Sequence, residues 1–335
     1  MTFLKRYLIP RLIQYLLVTF LGLTAVFILP RLLPIDPIQQ RIAQYQTFGM
    51  IIPPDQLEYM ISTLRSLFGL EGTLWQQYVM FWQRLLTWDF GPSLARFPTP
   101  VSTLIAWHLP WTLALLISSL VIGWVVGTLV GGVAGYYHRS KATRLLDGAA
   151  MVVRPIPYYI LALLLLILFT HVLPLLPRGG GIGIGVTPEF NLAAIWSILL
   201  HATLPALTLI IGGITEHFQA MKLIVQTSRS EDHVWYARSA GVKDSTIVFH
   251  YVIRNAMLPR ITHLGLSLGF VFSGALITEI VFRYPGVGLL LFNAIMHGDY
   301  NLIMGISAIS IMVITTSILL LDLLLPLVDP RVRHQ

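Results

Sequence analysis

Long apolar runs broken by short polar clusters set the pattern of this 335-residue chain. Six runs approach or exceed the roughly 20 residues that cross a bilayer as an α-helix. They place spans at about 12–29, 109–135, 148–173, 195–220, 261–282 and 302–325. A helix satisfies its own backbone hydrogen bonds in lipid, whereas a transmembrane barrel would show weaker alternating segments of about ten residues. The pattern therefore predicts an all-α polytopic membrane protein with six transmembrane helices. It divides the chain into a first helix within residues 1–30, an outer segment at 31–108, and a five-helix core at 109–335 carrying a polar loop at 221–260.

Two shorter elements are expected in the outer segment. Leu57, Met60, Ile61, Leu64, Leu67 and Phe68 recur at helical spacing after Pro53-Pro54, the signature of an amphipathic helix. Trp75–Trp88 concentrates Trp75, Tyr78, Phe81, Trp82 and Trp88, ring types that favour the membrane–water interface. Both are read as helices resting on the outer face, with contact to a docking partner as the sharper alternative.

Within the spans, Gly123, Gly127, Gly131 and Gly135 fall every fourth residue, and Gly265, Gly269 and Ser273 repeat the spacing. Small residues on one face let helix backbones approach closely, which drives packing in lipid. The ionisable residues near the spans are Arg154, His171, His201, Glu216, His217, His263, Glu279 and Asp322. Most sit near predicted span ends, where side chains can reach the interface. Proton coupling through Glu216-His217 is conceivable, but no comparable carboxylate is placed in mid-membrane.

The polar loop has the densest local signals. Ser228 with Glu231 reads as a capping box opening a helix over Arg229–Ala240. Gly241 stops it by supplying a left-handed residue. Asp244 or Ser245 then caps a second helix reaching about Asn255. Val234, Ala237, Ala240 and Gly241 offer small contacts and Trp235 and Tyr236 aromatic bulk, a combination that fits a groove on another protein.

Composition agrees with a membrane protein: 56% of residues are hydrophobic and 11% charged, against about 25% charged in soluble domains. Cysteine is absent, which excludes disulfides, thiolate metal sites and thiol nucleophiles. Lys5, Arg6 and Arg11 precede the first apolar run, which lacks a small-residue cleavage site, so it reads as a retained span. Lys and Arg cluster at both termini and in the loops after the second and fourth spans, while the short outer loops carry Arg178 and Arg283. By the positive-inside rule both termini are cytoplasmic. The net charge of +7 follows the membrane in this way and indicates no nucleic-acid partner. No zinc helix, nucleophile elbow or phosphate loop is present in the sequence, so no catalytic, metal or cofactor residue is assigned. The glycine run Gly179–Gly185 reads as a flexible turn.

Asp232–Gly241 followed by Arg254-Asn255-Ala256-Met257-Leu258-Pro259 resembles the cytoplasmic loop of permease subunits of peptide-type ABC importers. The likeness is to the first of the two permeases in oligopeptide, dipeptide and nickel systems, and extends along nearly the whole chain. It includes Leu33-Pro34-Ile35-Asp36-Pro37, Asp89-Phe90-Gly91-Pro92-Ser93, Asp147, Pro155-Ile156-Pro157 and Leu204-Pro205-Ala206-Leu207. Further matches are Glu279 with Tyr284-Pro285-Gly286-Val287-Gly288, Asp299-Tyr300 and Asp329-Pro330-Arg331. His233, Trp235, Tyr236 and Ala240 depart from the usual loop residues. The resemblance implies a type I importer permease fold in a prokaryotic inner or plasma membrane. It further implies a second homologous permease, two cytoplasmic ATPase subunits that hold ATP and magnesium, and an extracellular solute-binding protein. Coupling to an ATPase would then fall to Asp232, Trp235, Tyr236, Ala237, Arg238, Ala240 and Gly241. Peptides are the leading cargo, with short oligosaccharides and metal chelates as alternatives. An ion-gradient-driven secondary transporter is the rival class, against which stand the missing internal repeat and the ordered hairpin.

Overall fold

The computed structural model describes residues 7–32, 38, 39, 42, 53–187, 191–270 and 276–328. In chain order its helices are α1 (Ile9–Leu32), α2 (Pro54–Leu67), α3 (Leu74–Thr87), α4 (Val101–Tyr136), α5 (Lys141–Val153), α6 (Tyr158–Ile167), α7 (Leu192–Ser228), α8 (Asp232–Ser239), α9 (Arg254–Phe270), α10 (Leu276–Val281), α11 (Val287–Met296) and α12 (Tyr300–Val328). Among the described residues there is no β-strand, in keeping with the all-α expectation.

Four of the six expected spans are recovered as single long helices, with different ends. Four described helices, α1, α4, α7 and the stretch Tyr300–Leu323 of α12, are long and apolar enough to cross a membrane. The span expected at 148–173 is not one straight helix. α5 and α6, extended by a π turn at Leu168–Val172, form a pair bent by 101°. The break falls at Arg154-Pro155-Ile156-Pro157, where two prolines lack the N–H needed to continue the ladder and disfavour helix in the residues before them. Counting the bent pair as one gives five candidate spans. The span expected at 261–282 falls on α9 and α10, and residues 271–275 between them lie outside the described residues. α11 was not expected; its sequence reads as part of an apolar stretch with no separate signal.

The chain divides into two compact units, and the divisions fall inside α4, just before α11 and inside α12. The first comprises residues 1–111 and 286–319. Its core joins Leu23 and Phe27 of α1, Phe81 and Leu85 of α3, Leu104 and Ile105 of α4, Leu290 of α11, and Leu302 and Ile306 of α12. Phe27 meets the Tyr78 and Phe81 rings at centroid distances of 5.1 and 5.6 Å. Arg31 lies over Phe27 and donates to Gln77 Oε1, so α3 is fixed to α1 by ring packing and charge together. α2 begins at Pro54 as expected, while α3 carries a capping box at Thr73 and Gln76. Asp299 explains two sequence motifs at once. Its carboxylate accepts from Ser93 Oγ and from the backbone N–H of Ala95 and Leu302. It thereby caps α12 and ties it to the Asp89–Ser93 turn.

The second unit comprises residues 112–285 and 320–335. Here α4 crosses α7 on its glycine face. A Cβ added at Gly127 would come within 2.7 Å of Ile214 O, and one at Gly135 within 2.8 Å of Lys222 O. Gly123 lies against Gly213, and Gly131 against the Phe218 backbone. Such approach is open only to glycine. Gly265 and Gly269 fall on α9, but their surroundings, like Ser273, lie outside the described residues. The run Gly179–Gly185 is irregular, and it is anchored: Gly180 N–H donates to Phe282 O and Gly183 N–H to Ser197 Oγ.

Candidate functional site in the polar hairpin

Between α7 and α9 the chain makes a short hairpin whose ends differ from the sequence expectation. Ser228 is the last residue of α7 and caps nothing; α8 starts at Asp232 with Glu231 at the N-cap and no side-chain cap bond. The reason is packing: α7 continues eight residues beyond its expected end near Ala220, to Ser228, because Met221 and Val225 are fully buried and hold it helical. Nor does Asp244 or Ser245 cap the next helix. Lys243 takes the N-cap position, and the Asp244 carboxylate instead accepts from the Tyr136 hydroxyl at 2.9 Å. The following residues Ile247–Ile253 form a π-helical stretch that runs directly into α9.

The expected glycine stop is present. Gly241 has φ +76°, a conformation that costs glycine little and other L-residues more. Its N–H donates to Arg238 O and the N–H of Val242 to Ala237 O, the paired bonds of a Schellman cap.

α8 has two faces. Val234 and Ala237 point into a core built from Met221, Val225, Ile247, Val248, Val252 and Ile253. Ala237, expected at a partner surface, is therefore part of the chain's own packing. Asp232, Trp235, Tyr236, Arg238, Ala240 and Gly241 lie on the exposed side, with Trp235 at 64% and Tyr236 at 66% exposure and their rings edge to face.

Polar contacts centred on Tyr136 hold this helix in place, and sequence reading missed them. Tyr136, the last residue of α4, receives a hydrogen bond from Arg238 Nη2 at 2.8 Å and donates onward to Asp244. The hydrogen bond to the Tyr136 hydroxyl raises the Arg238 pKa above its ordinary value, against a small lowering by burial, so this guanidinium stays charged. Arg229 donates to the Tyr136 carbonyl and contacts His138. The end of α4, the end of α8 and the start of the next helix thus share one polar knot. A tyrosine closing a span beside His138-Arg139 was the available signal, but nothing in sequence pairs it with Arg238.

Residues 127–334, well over half of the chain, match the family described as binding-protein-dependent transport system inner membrane component. The chain belongs to that family. Similar proteins cover it almost completely. A Brucella ovis protein that carries the name of a peptide permease is 32% identical over 98% of this chain and 99% of its own length. A dipeptide transport system permease protein of Lactococcus lactis and an oligopeptide transport system permease protein of Haemophilus influenzae are each 26% identical, again over 98% of this chain and 99% of theirs. The protein is thus a multi-pass permease of the cell membrane, one component of an ABC import system.

Proposed function

We propose that this permease forms half of the translocation pathway of an ATP-driven peptide importer, with α8 as the helix that couples it to an ATPase. The observation that carries the reading is the two-faced α8. Its inner face is locked by Val234, Ala237 and the Tyr136 knot, while Trp235 and Tyr236 stand exposed. A rigid helix with exposed aromatics transmits displacement; a loose loop would absorb it. Two large rings with few rotatable bonds are typical anchors for a partner pocket.

In this reading the N- and C-termini and the hairpin are cytoplasmic. The partners are a second homologous permease, two ATPase subunits that bind ATP and magnesium, and an external binding protein that delivers peptide. ATP must favour one of two packings for the cycle to run. Peptide cargo rests on the relatives named for peptide, dipeptide and oligopeptide transport.

The test uses the assembled importer in liposomes. With Trp235→Ala and Tyr236→Ala combined, the loaded binding protein should no longer stimulate ATP hydrolysis, and uptake should fall at least tenfold at normal permease levels. Unchanged stimulation and uptake would remove α8 from the coupling role.

A further inference from the structure

Residues 192–221 contain one charged side chain, Glu216, in 30 residues of an apolar helix. Glu216 is not sequestered: its side chain is 64% exposed, with His263 Nε2 3.8 Å from Oε1 and 43% exposed itself. An ionisable group inside a span faces lipid only at a cost of several kcal/mol, so it faces water or protein. Behind it, Arg260 is 3% exposed and its Nη2 donates to Nδ1 of buried His217. Arg260 Nε has no hydrogen-bond partner.

The polar side of α7 continues beyond Glu216. One turn on, Gln219 Oε1 accepts from the exposed guanidinium of Arg154, in the break between α5 and α6. A further turn on, Lys222 pairs with Asp147. Asp147, Met151, Arg154, Pro155, Gln219, Lys222 and Leu223 surround a cavity of about 540 Å³. The Lys222 charge is matched by Asp147, but Arg154 is bonded to a neutral amide. The track therefore offers one exposed carboxylate at one end and one exposed guanidinium further along.

Glu216, His217 and His263 also have the side-chain types of a metal site and lie close enough together for one. The Arg260 bond argues against it. Arginine can only donate, so Nδ1 of His217 accepts, the ring proton sits on Nε2, and neither nitrogen offers a lone pair to a cation.

We propose that this side of α7 lines the translocation pathway and contacts a zwitterionic peptide in transit, Glu216 facing its ammonium group and Arg154 its carboxylate. The proposal rests on the peptide reading above. The absence of cysteine makes the test direct. Glu216→Cys and Arg154→Cys are introduced singly into the assembled importer and treated with a membrane-impermeant thiol reagent added to both sides of the vesicle. Leu199→Cys, on an exposed apolar part of the same helix, serves as the reference. Labelling of the first two at least tenfold faster than of Leu199→Cys, slowed when peptide-loaded binding protein and ATP are turning over, is the expected result. No labelling of either would overturn the pathway assignment and place this face at a subunit contact. In parallel, Glu216→Gln, which keeps the size of the side chain, and Arg154→Gln, which removes the charge but keeps a hydrogen-bonding amide, should lower the maximal peptide uptake rate at least fivefold without changing capture by the binding protein. Wild-type rates in both would overturn the contact with peptide charges even if labelling holds. Labelling without peptide uptake in the unmodified importer would instead defeat the peptide reading and, with it, the assignment of ligand.

Discussion

Asp299 and Gly127 show how single residues constrain this permease from opposite directions. Asp299 is fully buried, and its carboxylate is satisfied by one hydroxyl and two backbone N–H groups. Asp299→Ala removes an N-cap, costing about 0.5–2 kcal/mol, and leaves the buried Ser93 O–H without its acceptor, costing about 1–3 kcal/mol more. A clear drop in the thermal transition of the detergent-solubilised protein is expected, and Asp299→Asn should recover part of it. Gly127 acts by having no side chain. Gly127→Val would drive new atoms into the Ile214 carbonyl and the His217 Cβ. Overpacking of that kind costs about 1–3 kcal/mol, and lowered yield of folded protein by size-exclusion chromatography checks it. A glycine with open surroundings such as Gly212 should tolerate alanine at the same assay.

At the scale of elements, α8 is the piece whose placement matters most. It is only eight residues long, too short to persist alone in water. Its helicity depends on the core beneath Val234 and Ala237 and on the Tyr136 knot. Tyr136→Phe keeps the ring and removes the hydroxyl that joins Arg238 to Asp244. Solvent screens these groups, so the loss is set at about 0.5–1.5 kcal/mol. Amides of residues 232–241 should then exchange several-fold faster with deuterium while amides in the interior of α4 do not change. Equal exchange in both proteins would show that the apolar contacts alone hold the hairpin. The buried position of Ala237 gives a related expectation. Ala237→Glu should lower stability, whereas changes at Trp235 or Tyr236 should leave stability intact and act on coupling.

For the molecule as a whole, membership in a multi-component transport family means that transport belongs to the assembly. The purified permease alone in liposomes, given a proton or sodium gradient and peptide, should move no peptide. Adding the partners of the proposed assembly, a second permease, ATPases with ATP and a loaded binding protein, should restore uptake. Gradient-driven uptake by the chain alone would contradict the coupling reading at its root.

Much of this was written in local sequence. Apolar run length alone dictates helices in lipid, because each unpaired backbone group there is costly, and so α1, α4, α7 and α12 were legible. Gly241 was legible as a stop for the same kind of reason, since a left-handed residue after a short helix favours glycine. The opening of α8 was not. Ser228 and Glu231 have the spacing of a capping box, yet buried Met221 and Val225 carry α7 through that point. The bend between α5 and α6 was signalled by Pro155 and Pro157, but its size of 101° is set by packing. Only tertiary structure could assign Ala237 inward, join Tyr136 to Arg238 across 102 positions, and set Arg154 beside the α7 face that carries Glu216. Periodicity and capping describe interactions within a few residues, whereas these partners meet because distant helices pack, and packing is a property of the folded whole.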